Sequence, residues 1–128
     1  MIEIDQPLIV LPEAEMPDLA PSIHRQRLVI EGMSPTSITA EQITSYLNTL
    51  SDVLGMKLLL EAVTHRSDTY GWAGWVHWET SGAHFYAWDE PVFFFSVDVY
   101  TCKPFDPVTA VEFTAEFFDT PQIVARPI

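Results

Sequence analysis

The side chains of this chain best suited to chemistry cluster between positions 81 and 102. Cys102 is its single cysteine, so no internal disulfide can form. Its thiol is either core filler or a reactive group. Ser81 is followed by Gly82, an ordinary hairpin-turn pair that also gives a hydroxyl a backbone of unusual freedom. His84 and Tyr86 are two residues apart, which puts both on one face of a regular strand. An imidazole is the better base of the two at neutral pH, since a tyrosine ordinarily titrates near about 10. On a strand, Tyr86 is equally suited to cross-strand packing. These are the residue types of nucleophilic and general acid–base chemistry. His65, His77 and His84 have no metal-ligand spacing with Cys102, so no zinc site is expected.

The elements that must hold these residues follow from the hydrophobic pattern. Residues 27–31 (RLVIE) read as a short strand ended by Gly32 and Pro35. Thr39 and Gln42 have capping-box spacing, and Ile43, Tyr46, Leu47, Leu50, Val53 and Leu54 recur at helical intervals before Gly55. Residues 56–64 form a continuous apolar strand. In 72–79, Trp72, Gly74, Val76 and Trp78 share one face, and Ala73, Trp75, His77 and Glu79 the other. Strands at 83–88 and 92–101 follow, the second with Phe93, Phe95, Val97 and Val99 on one face. Asp106 and Pro107 start a second helix with Val108, Val111, Ala115 and Phe118 as its buried stripe. Residues 121–127 are suited to an edge strand. The order predicts an α+β two-layer sandwich, an antiparallel sheet with two helices on one face.

Composition narrows the partners. The 128 residues suit one compact domain, and 48% hydrophobic residues can supply its core. Residues 1–24 stand apart as an acidic, proline-rich arm without Lys or Arg, leaving 25–128 as the domain. Its apolar patch Leu8–Leu11 suits draping over a surface. A net charge of −12 with only 6 Lys and Arg disfavours nucleic acid and anionic membrane, and is compatible with a cationic ligand. No run reaches the about 18 apolar residues of a membrane span, and the N-terminus has no basic signal-peptide region. A cytoplasmic location is the expectation.

Three stretches resemble the small bacterial and archaeal S-adenosylmethionine (AdoMet) decarboxylases. Leu28-Val29-Ile30-Glu31 is similar to the family's first strand, which carries a similarly placed Glu. His65-Arg66 followed by Tyr70-Gly71 and Gly74 resembles its HR…YG..G segment. The third stretch is the most specific. The family reads Ser, a His five places on, Trp-Pro-Glu, then VD[VIL]FTC. This chain has Ser81, Tyr86, Trp88-Asp89-Glu90, and Val97-Asp98-Val99-Tyr100-Thr101-Cys102, with one extra residue between Trp88 and Cys102. Asp106-Pro107 and Ala110 continue into a helix that begins DPWKA in relatives. The likeness spans residues 25–120.

The resemblance implies a pyruvoyl-dependent decarboxylase that acts on AdoMet and feeds polyamine (spermidine) synthesis. Such enzymes are homodimers with active sites near the subunit interface. The cofactor is a ketone made by autocatalytic cleavage of the chain before a serine, and it serves as the electron sink for decarboxylation. By resemblance, Ser81 is the pyruvoyl precursor, the cut falls between Thr80 and Ser81, and Cys102 is the proton donor. Glu31 and Glu90 are the carboxylates expected near the cationic substrate. Trp72 and Trp88 are aromatic candidates for adenine, although tryptophans so placed are ordinarily core or interface. The family's processing His falls on Tyr86, so His84 or Tyr86 is expected to take that step. A second processing Ser falls on Ala73, the Glu before the reactive Ser on Thr80, and an aromatic associated with adenine on Ser67. These departures leave two alternatives open. One is an uncleaved relative, for example a lyase, acting on AdoMet or a similar cation without pyruvoyl. The other is a non-catalytic regulatory partner of an active homologue.

Overall fold

The computed structural model describes residues 12–128, so the Leu8–Leu11 patch lies outside the described residues. From Pro12 to Arg25 the chain makes one short 3-10 turn, Glu13–Glu15, and is mostly exposed. An ion pair of 2.6 Å between Asp18 and Arg25 ties this stretch to the start of the domain. Hydrogen bonds from Arg25, then from the Ala20 N–H, hold the Asp18 carboxyl below its ordinary range.

The domain runs β1 (Gln26–Met33), α1 (Ala40–Val53), β2 (Leu58–Arg66), β3 (Trp72–Trp78), β4 (Ser81–Trp88), β5 (Phe94–Thr101), α2 (Pro107–Phe117) and β6 (Gln122–Pro127). All six strands join one antiparallel sheet in the order β2-β3-β4-β5-β1-β6. Helix α1 packs on β2, β3 and β4, and α2 packs on α1, β1 and β6, so one face is covered and the other open. This is the α+β two-layer arrangement that the order of patterns predicts. No helix among the described residues is long and apolar enough to cross a membrane.

Local chemistry sets the helix ends. The Thr39 side chain accepts from the Gln42 N–H while the Gln42 side chain accepts from the Thr39 N–H, a complete capping box. Gly55, at φ 68°, takes the left-handed position that closes α1. Asp106 caps α2 through the Val108 N–H, with Pro107 next. Gly74 lets α1 approach the sheet closely, since a Cβ there would stand 2.6 Å from the Ile43 methyl.

The buried face of α2 differs from the expected stripe. Val108 is 60% exposed, whereas Ala110, Thr114 and Phe118 are buried. A polar Thr114 is hidden because its hydroxyl has two partners: it donates to the Ala110 carbonyl at 2.7 Å and meets the buried Tyr46 hydroxyl at 2.6 Å. Phe93 likewise lies outside β5 and is exposed. The 56–64 run becomes the edge strand β2, and Leu58, Leu59 and Leu60 are exposed.

Tyr46 and Thr114 give a stability prediction. Desolvation raises the Tyr46 phenol well above its ordinary pKa, so it remains a donor. Thr114→Val orphans this buried O–H and should cost about 2 kcal/mol, whereas Tyr46→Phe leaves Thr114 bonded to Ala110 and should cost about 1 kcal/mol. Urea denaturation of both variants checks the order; equal losses would contradict it.

Candidate active site

Strand alternation sorts the chemical residues onto two faces. In β4, Ser81, Ala83, Phe85 and Ala87 are buried beneath the helices, while His84 and Tyr86 are exposed on the open face. In β5, Asp98 and Tyr100 are exposed on that same open face. The register places Tyr100 opposite Gly82 and Gly82 opposite His77. One row on, Asp98 is opposite His84 and His84 opposite Trp75. Because Gly82 has no side chain, an open cavity of about 460 Å³ lies over these rows. Thr80 and Ser81 line it with His84, Asp98 and Tyr100, and Arg27 on β1 lines it as well.

The hairpin at the edge of this cavity is strained. Trp78 pairs with Ser81, so the turn is Glu79–Thr80, and Ser81 belongs to the strand rather than to the turn. Thr80 has φ 62°, a left-handed conformation that glycine tolerates and a β-branched residue resists. Thr80→Gly is therefore expected to stabilise the fold by about 1 kcal/mol, measured by denaturation in a Ser81→Ala background so that no cleavage intervenes. A loss of stability would show that Thr80 is unstrained.

Ser81 and Cys102 meet at this point. Ser81 is 5% exposed, and its Oγ accepts a hydrogen bond of 3.2 Å from the Cys102 backbone N–H. The Cys102 thiol in turn contacts the Tyr100 hydroxyl at 3.9 Å. Two further polar atoms on this buried side, Trp78 Nε1 and Thr101 Oγ1, have no partner among the described residues. Trp78 pairs with Ser81, and Thr101 immediately precedes Cys102. Buried polar atoms left unbonded are costly; the third such atom among the described residues, Thr120 Oγ1, lies after α2.

The other candidates lie elsewhere. Tyr86 is one row beyond His84 and does not line the cavity. Glu31 shares the open face in the Tyr86 row, opposite Ser96, whose hydroxyl donates to it at 3.1 Å. Glu90 is exposed in the loop after β4, away from the cavity. Trp88 packs on Phe94 with ring centroids 5.3 Å apart, also off the cavity. Trp72 packs against the core beneath the helices, with the Arg66 guanidinium 5.9 Å from its ring. The structure thus joins Ser81 to Cys102, puts His84 in the cavity on the face opposite the Ser81 side chain, and leaves Tyr86, Glu31, Glu90, Trp72 and Trp88 apart from the cavity. It adds Arg27, His77, Asp98 and Tyr100. Asp98 and Tyr100 were signalled by their alternation in VDVYTC, whereas Arg27 required the β1–β5 pairing.

A family model described as S-adenosylmethionine decarboxylase matches residues 30–128. The chain belongs to this family. The crystal structure of the adenosylmethionine decarboxylase from Aquifex aeolicus VF5 has a similar fold, with a TM-score of 0.67 at 16% identity, covering 83% of this chain and 89% of that one. None of the curated proteins searched matches the sequence. The family match reaches the C-terminus and so takes in β6, beyond the motif-bearing stretch.

In a member of the AdoMet decarboxylase family, the residues around Ser81 would have to fit a pyruvoyl group made from the chain itself. They do on three counts: a Ser hydroxyl held by a backbone donor, a strained residue on the other side of the bond, and an adjoining cavity. A Cβ at Gly82 would stand 2.9 Å from the Val76 carbonyl, so only glycine fits beside Ser81.

Proposed function

We propose that this chain is an AdoMet decarboxylase that makes its own pyruvoyl group at Ser81. The observation that carries this reading is the meeting of Ser81 with Cys102 beside the strained Thr80, at the edge of the cavity. The Ser81 hydroxyl attacks the Thr80 carbonyl carbon and gives its proton to a base. An ester bond forms as the peptide C–N bond breaks. Loss of the Ser81 α-proton expels the Thr80 carboxylate and cuts the chain. Water then replaces the freed amine, which leaves as ammonia. Relief of the left-handed conformation at Thr80 favours the first step. His84 lines the cavity and is the base of this reading.

When present at position 81, a pyruvoyl group would supply an electrophilic ketone for the substrate amine and a sink for the electron pair left by CO2. The chain's own residues then have separate tasks. Asp98 in the cavity and the net charge of −12 favour the ammonium and sulfonium of AdoMet. Cys102 holds the proton destined for the product carbon. The open face carries exposed Val63, Trp75, Tyr86, Tyr100 and Val124, an apolar surface suited to a second copy of the chain, and the reading includes a homodimer. The product would supply aminopropyl groups for polyamine synthesis in the cytoplasm.

AdoMet labelled in its carboxyl group tests the reaction. Release of labelled CO2 is expected; labelled AdoMet left intact by cleaved protein would refute it. A second reading, cofactor-free lyase chemistry, is favoured by the side-chain directions: Ser81 turns toward the helices, while His84 and Asp98 face the cavity side. Methylthioadenosine formed without CO2 would identify that reaction.

A further inference from the structure

Where the family pattern VD[VIL]FTC has phenylalanine, this chain has Tyr100. Its hydroxyl is therefore an addition, and its surroundings indicate a use for it. Tyr100 lines the cavity together with Thr80, Ser81, Gly82 and His84, whereas Cys102 does not line it. The Cys102 thiol donates toward the Tyr100 oxygen at 3.9 Å. A thiol is a weak donor, and a phenol that accepts from it still has its own O–H to give. The Arg27 guanidinium lies 4.9 Å from the ring centroid and steadies the ring by a cation–π contact. Among the described residues, no carboxylate is within ion-pair distance of Arg27, so this contact is not weakened by a competing one. Directly across the ladder, Gly82 leaves open space beside the phenol.

We propose that Tyr100 couples the Cys102 thiol to the cavity and delivers its proton there. The phenol O–H bond breaks as its proton passes to the reacting carbon, and a new O–H bond forms with the proton of the Cys102 thiol. The thiolate is reprotonated by water. No electrons are gained or lost by either side chain, so no redox partner is needed. Arg27 is the positioning residue for the ring. The reacting carbon is taken from the decarboxylase reading above; the coupling of thiol to phenol stands on the contacts alone.

Tyr100→Phe in the full chain tests both parts, and it restores the residue of the family pattern, so folding should be retained. The first measurement is the rate of Cys102 alkylation by iodoacetamide across pH. A thiolate that loses the phenol donor is less stabilised. The variant should thus react several-fold more slowly at neutral pH. Coincident profiles would overturn the coupling. The second measurement is CO2 release from AdoMet, expected to fall about 10²-fold, as for removal of a general acid. Release within twofold of the parent would overturn the delivery of the proton. If the parent itself releases no CO2, the decarboxylase reading fails by that result, and the alkylation profiles alone decide the coupling.

Discussion

Ser81→Ala is expected to remain a single chain under every condition in which the parent yields fragments 1–80 and 81–128, and to release no CO2 from AdoMet. The cleavage needs an oxygen at this position to take over the acyl group, and the next residue, Gly82, carries none. Loss of the electron sink removes most of the rate enhancement, which for enzymes is commonly 10⁶-fold or more. The fold should be little affected. Ser81 is buried in a strand among small and apolar neighbours, and alanine loses only the bond accepted from the Cys102 N–H, about 1 kcal/mol. Denaturing electrophoresis and a thermal unfolding curve on one preparation separate the two effects. Cleavage of the alanine variant at this bond would remove Ser81 from the chemistry altogether.

The second large effect is expected at His84. By resemblance the family's processing histidine falls on Tyr86, and the proposed base is its neighbour His84. His84 lines the cavity with Thr80 and Ser81, and Asp98 stands directly across the ladder from it. Tyr86 lies one row further along, with its ring 6.2 Å from that of His84. A positioned general base is worth about 10²–10⁴-fold. His84→Ala should therefore slow cleavage by about 10²-fold or more, while Tyr86→Phe should cleave at nearly the parental rate. Time courses of fragment appearance in the two variants decide the matter; normal cleavage of His84→Ala with arrest of Tyr86→Phe would reverse the assignment.

Much of the scaffold was legible because its determinants are local. The Thr39–Gln42 capping box, the Asp106–Pro107 start and the alternation of Trp72, Gly74, Val76 and Trp78 each act within a few residues. The α2 stripe was misread because Thr114 is buried by a hydrogen bond to Tyr46, 68 positions away, which hydropathy does not register. The placement of β1 between β5 and β6 is likewise tertiary. It alone brings Arg27 to Tyr100 and into the cavity wall. At the site, Ser81 and Cys102 were legible through their shared motif, and their contact is a backbone bond that the motif spacing permits. Trp72 could have been set aside from the start, since it shares its strand face with the core residues Val76 and Trp78. Glu31 and Glu90 followed from family likeness rather than from register, and they fall outside the cavity.

Intact-mass analysis of freshly purified, AdoMet-decarboxylating protein tests the central claim most directly. Two species should be found, residues 1–80 ending in a free carboxylate and residues 81–128 lighter by one ammonia than a peptide beginning with serine. A single species with the mass of the uncut 128-residue chain, in a preparation that still releases CO2, would contradict the proposal that Ser81 becomes the cofactor.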